Sequence, residues 1–169
     1  LDQLKEHNAK ATFFCLGDNV QKHPELFKRI TSEGHAVGNH TFNHLNGWKT
    51  STSEYLLNTL KAQQTFAKYL PEKTPFNNPL FRPPYGKIKD RQVRALQKRD
   101  FKLIMWSILS MDYNRNISAK RCLQNVTKHG KPGSIIVFHD SLKAQPHLTY
   151  ALPRVLKHFS QKDYSFKTL

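Results

Sequence analysis

The sequence predicts an α/β fold, with parallel strands covered by helices. Two observations carry this. Short apolar, β-rich runs alternate along the whole chain with segments of helical period. Polar clusters also stand at the ends of apolar runs: His40/His44, Arg82-Pro83-Pro84-Tyr85, Asp112-Tyr113 and His139-Asp140. A parallel sheet gathers the loops at its carboxyl ends on one side, so these clusters are expected to converge there. The 169 residues suffice for one domain with a sizeable core, its sheet open or closed into a barrel.

The elements follow in order. Residues 1 to 8 read as the tail of a helix. Ala11 to Leu16 is an apolar strand, stopped by Gly17-Asp18-Asn19. Pro24 to Glu33 is helical: Leu26, Phe27 and Ile30 keep the helical period, Pro24 suits a first turn and Gly34 closes it. His35 to Asn39 is a second strand. Ser53 to Tyr69 is a helix with Leu56, Leu57, Leu60, Gln64 and Ala67 along one side, capped by Ser51 or Ser53. Pro71 to Pro79 reads as a loop. Leu80 to Arg82 is a strand stopped by Pro83-Pro84, and Asp90 to Arg99 is a helix. Lys102 to Ile108 reads as a fourth strand, Ala119 to His129 as a helix ended by Gly130, and Ser134 to Phe138 as a fifth strand. Ala151 to Phe159 is helical and Tyr164 to Leu169 a sixth strand.

Composition narrows the classes. Lys and Arg total 27 against 12 acidic residues, a formal +15. The basic residues are scattered over helix-like segments, with no arginine block, zinc-finger spacing or basic stripe interleaved with aromatics. The excess therefore reads as solvated faces, or attraction to anionic polymers, rather than as a nucleic-acid site. No apolar run is long enough to span a bilayer, and no leader peptide is evident. Leu1-Asp2-Gln3-Leu4 lacks an initiator Met and reads as the middle of a helix, so upstream sequence is expected. Cys15 and Cys122 suggest neither a disulfide framework nor a CxxC site.

His40-Thr41-Phe42-Asn43-His44 holds two imidazoles four positions apart, which reach one metal ion if the backbone curls into a helical turn. With nine histidines in the chain, such a pair also arises by chance. Taken alone, Arg82 reads first as a surface arginine beside a proline loop; for His139 the alternative is a satisfied histidine at a strand end, and Asp112 is a plausible partner for a functional one. His7, His23, His129, His147 and His158 read as solvated.

The order of these motifs is specific: His-Thr-x-x-His at 40–44, Arg-x-Pro-Tyr at 82–85, Asp followed by an aromatic at 112–113, and an apolar residue two before His at 137–139. It resembles the NodB-homology polysaccharide deacetylases, carbohydrate esterase family 4, over nearly the whole chain. The resemblance implies an irregular (β/α)7 barrel, its first strand missing from this chain, spanning residues 1–169 as a single domain. It implies metal-dependent removal of N-acetyl groups from N-acetylglucosamine units of polymers such as peptidoglycan or chitin. By position, His40 and His44 match the ligands of a divalent metal, zinc or another transition metal such as cobalt. Arg82 matches the arginine that orients the catalytic base, and Tyr85 the residue whose backbone N–H helps hold the oxyanion. His139 matches the histidine that protonates the leaving amine, and Asp112 its acidic partner. Pro83, Tyr113 and Val137 fall on the substrate side. The family's substrates imply an extracytoplasmic location.

The chemistry suits these residue types. Amide hydrolysis needs an activated water, stabilisation of an oxyanion and an acid for the departing amine. The sequence also departs from the family. The adjacent aspartate pair, one a metal ligand and one the base, is absent; the simplest expectation is that it lies upstream of Leu1. Leu109 stands where an aspartate is common, and Tyr113 replaces a tryptophan. If the pair is absent from the complete protein too, the expectation becomes a catalytically inactive carbohydrate-binding relative.

Overall fold

The apolar runs pair in register. In the computed structural model, which describes residues 1–70 and 79–169, Thr12–Cys15 (β1), Ala36–Asn39 (β2), Leu80–Phe81 (β3) and Lys102–Leu103 (β4) form a parallel sheet in the order β1-β2-β3-β4. Ile108–Leu109 (β5) and Ile136–Val137 (β6) form a second parallel pair. The α/β class with parallel strands is the predicted one. The chain divides into two compact units. One is Ala11–Met105 with Thr168–Leu169, and the other is Leu1–Lys10 with Trp106–Lys167.

In the Ala11–Met105 unit, helices Gly17–Lys22 (α2), Pro24–Ser32 (α3), Thr52–Ala67 (α4) and Asp90–Gln97 (α5) accompany the four-stranded sheet. Ser51 caps α4, its Oγ accepting from the Glu54 N–H at 3.2 Å. The fully buried side of α4 carries Tyr55, Thr59, Ala62 and Phe66. This stripe is rotated from the predicted one, and Leu57 is exposed. The aromatics decide the rotation, because Phe66 packs with Val20, Phe27 and Phe42, and Tyr55 packs with Phe81, Leu96 and Phe101. Burying each such ring contributes about 1.5–3 kcal/mol. Gly17 starts α2 rather than ending order there. Its N–H donates to the Thr41 carbonyl at 3.0 Å, and a Cβ would stand 2.4 Å from Phe42 and 2.8 Å from the Ala62 backbone. Residues 71–78 of the predicted Pro71–Pro79 loop lie outside the described residues.

The other unit holds Asp2–Glu6 (α1), Ala119–Thr127 (α6) and Gln145–Ser160 (α7) with β5 and β6. Ile108, Val126, Val155 and Phe159 are its core. Ser118 caps α6 through the Arg121 N–H at 3.1 Å. α7 begins at Gln145 rather than Ala151, with Pro146 in its first turn.

Two predicted strands are revised. The run 102–108 is two strands in two sheets, because the Arg82 guanidinium takes up the carbonyls of Ile104 at 3.2 Å and Met105 at 3.0 Å and the ladder stops there. Residues 164–169 form no strand; their ties include Lys10 N–H to the Phe166 carbonyl and Leu169 N–H to Thr12 Oγ1. Among the described residues no helix is long and apolar enough to cross a membrane.

Candidate functional site

The predicted site residues fall into two clusters, one in each unit. The first follows β2. Asn39 ends that strand and is buried. Its amide donates to the Thr59 carbonyl at 2.9 Å and to Gln63 Oε1 at 3.0 Å, while its oxygen accepts from the Thr41 N–H at 2.9 Å. Asn58 Oδ1 accepts from the N–H groups of Phe42 and Asn43, and Thr41 Oγ1 accepts from that of Leu45. These ties hold a turn with two non-glycine residues in the left-handed region, Thr41 at φ 66° and His44 at φ 58°. Each costs on the order of 1–3 kcal/mol. The helical turn expected between the histidines is thus replaced by this loop, which still brings their ring centroids to 5.0 Å. His40 Nδ1 lies 2.6 Å from the Arg82 carbonyl. A carbonyl only accepts, so Nδ1 carries the proton and the Nε2 of the neutral ring keeps its lone pair.

Arg82 continues the same unit beyond β3. Its guanidinium is buried, donates to two carbonyls and stacks 4.1 Å from the Phe14 centroid. Burial lowers its pKa to about 10, which leaves it charged at neutral pH. Among the described residues no carboxylate pairs with it. Pro83, expected to meet substrate, is fully buried and presents no surface; its φ of −69° leads the chain into the turn that follows. Tyr85 sits in that turn at φ 59°, 61% exposed, its ring edge-on to His44 at 4.5 Å.

The second cluster belongs to the other unit. Asp112 is fully buried, and both of its carboxylate oxygens meet His139. Oδ2 accepts from the backbone N–H at 2.6 Å, and Oδ1 lies 2.7 Å from ring Nδ1. The His139 side chain remains 39% exposed, so Nε2 can be approached from outside. Tyr113 stands edge-on to His139 at 5.0 Å, its hydroxyl 3.3 Å from the Met111 sulfur. Val137 is buried in β6, opposite Leu109. Cys122 is buried near Asp112. Burial, and then the aspartate's charge, push its thiol up to about 11, against a hydrogen bond with Ser110 that pulls it down. It is a protonated, inert neighbour at neutral pH.

Two histidines read as solvated are not. His147 Nδ1 lies 2.8 Å from the Asp112 carbonyl, and His158 Nε2 is buried with no hydrogen-bond partner among the described residues. His147 stands three residues into α7, a helix whose first turn the periodicity did not reveal. No local signal marked it.

Residues 1–104 match the profile of the polysaccharide deacetylase family. The chain belongs to that family. A peptidoglycan-N-acetylglucosamine deacetylase of Bacillus cereus is 36% identical over 175 residues, spanning 100% of this chain and 60% of the relative. This chain thus covers about three fifths of that polysaccharide deacetylase relative's length. The crystal structure of the Bc1960 peptidoglycan N-acetylglucosamine deacetylase aligns with a TM-score of 0.88 at 34% identity, covering 99% of this chain and 77% of that one. A pseudoenzyme of carbohydrate esterase family 4 from Bacillus anthracis aligns with a TM-score of 0.85 at 26% identity, covering 99% of this chain and 57% of its own.

Proposed function

We propose that this chain carries the core of a metal-dependent peptidoglycan N-acetylglucosamine deacetylase, hydrolysing N-acetyl groups of amino-sugar polymers. The observation that supports it most is the grip of Asp112 on His139. A buried carboxylate on ring Nδ1 holds one tautomer and stabilises the imidazolium once it forms, leaving Nε2 to hand a proton to a departing amine. Family membership and the named relatives support the substrate class.

His40 and His44 fit as two donors to a divalent metal, since the Arg82 carbonyl leaves Nε2 of His40 as its ligating nitrogen. Among the described residues no third His, Cys, Asp or Glu completes a group, and a catalytic zinc ordinarily takes three protein ligands. Zinc, cobalt or another transition metal held there would supply a water activated near neutral pH and polarise the acetyl carbonyl. Arg82 keeps donors beyond its two carbonyl bonds, enough to orient a carboxylate base. The Tyr85 backbone is assigned to the oxyanion, and the Tyr113 ring beside His139 to the sugar. Val137 lines the acetyl side. The extracytoplasmic location proposed with this function rests on the family's substrates alone.

The test is acetate release from acetylated chitooligosaccharides or peptidoglycan by the complete protein. Release is expected, lost on treatment with EDTA and restored by adding metal. His40→Ala is expected to lower bound metal and activity together. Stoichiometric metal without acetate release from any acylated sugar would end the proposal in favour of an inactive carbohydrate-binding relative.

A further inference from the structure

We infer that His147 is a positioning residue for the Asp112–His139 pair, an inference that rests on the deacetylase reading. Asp112 follows Met111, a non-glycine residue at φ 64°. A backbone in that region holds only when its surroundings over-determine it. Within the turn the ties are modest: the Asp112 N–H reaches Ser110 Oγ at a long 3.4 Å, and the Asn114 N–H donates to the Met111 carbonyl at 2.9 Å. From outside the turn, Asn125 Nδ2 donates to the Ser110 carbonyl at 3.1 Å and His147 Nδ1 donates to the Asp112 carbonyl at 2.8 Å.

The His147 bond has two consequences. A carbonyl cannot donate, so Nδ1 carries a proton whether the ring is neutral or charged, and the tether persists across the pH range. Fixing the Asp112 carbonyl also fixes the direction of its Cα–Cβ bond. That direction must be right for one carboxylate to meet both the His139 N–H at 2.6 Å and Nδ1 at 2.7 Å. Asp112 is fully buried, so water cannot readily replace the imidazole if it is removed. Two imidazoles therefore hang on one aspartate, His139 on its carboxylate and His147 on its backbone. His147 works through Asp112 and has no chemical step of its own.

The experiment compares His147→Asn, whose side-chain amide can donate from close to the Nδ1 position, with His147→Leu, of similar bulk and no donor. Both are made in the complete protein. One readout is the downfield proton resonance of His139 Nδ1 bonded to Asp112. The other is kcat and KM for acetate release from an acetylated chitooligosaccharide. His147→Leu is expected to broaden or abolish the resonance and lower kcat by about tenfold or more, with KM little changed. His147→Asn is expected to retain both. If His147→Leu does not fold, His147→Met, unbranched and likewise without an N–H donor, takes its place. An intact resonance and unchanged kcat in the donorless variant overturn the inference, as does failure of Asn to rescue. If the unsubstituted protein releases no acetate, the deacetylase reading fails alone, because the resonance still reports whether His147 positions the pair.

Discussion

His40 and His139 are both held at ring Nδ1, at 2.6 and 2.7 Å, but by different acceptors. His40 meets a neutral backbone carbonyl and His139 a buried carboxylate. Both acceptors select the same tautomer. Only the carboxylate sets a full negative charge beside the ring. The carbonyl-held imidazole is therefore suited to offer a lone pair to a cation, and the carboxylate-held one to carry a proton. Two histidines of similar local setting are thus fitted to opposite tasks by what stands behind them.

The largest expected effect follows from that contrast. Asp112→Asn should lower kcat by about 10³–10⁴, because the amide offers His139 the wrong hydrogen-bonding partner. Bound metal, read by elemental analysis, should stay near normal, whereas His40→Ala should lose it. Loss of metal in Asp112→Asn, or its retention in His40→Ala, would erase the division of labour between the two clusters.

Asn39→Ala is expected to come next, and to act on one cluster only. It removes three hydrogen bonds from a buried position and frees the strained Thr41 turn. A stability loss of about 2–3 kcal/mol in urea unfolding, with weaker metal affinity, should leave the His139 resonance intact. If the resonance disappears while the protein remains folded, the two clusters are not independent.

The smallest effect is one of pH. Burial raises the Cys122 thiol from its ordinary 9.0 to about 11. The folded chain then keeps this proton where the unfolded chain has released it, so its contribution is complete below about pH 9 and declines as pH rises towards 11. Cys122→Ala should give a shallower fall of the urea midpoint across that interval.

Much of this protein was legible in its residues. Alternating apolar runs and helical periods marked the α/β class, and Ser51, Pro24 and Gly34 punctuated helices as expected. The motif order pointed to the family. The breaks in the pattern came from distant partners. Lys102 to Ile108 is one apolar stretch by composition, yet Arg82, some twenty residues earlier, claims two of its carbonyls. Leu57 has the period of a core position, yet the packing of Tyr55 and Phe66 turns it outward.

Periodicity and turn chemistry involve near neighbours along the chain, so residue order suffices to express them. Which nitrogen of His40, His139 or His147 holds a proton depends on acceptors 42, 27 and 35 positions away. Folding alone brings those atoms within hydrogen-bonding distance, and so it was the fold that gave each of these histidines its partner and its tautomer.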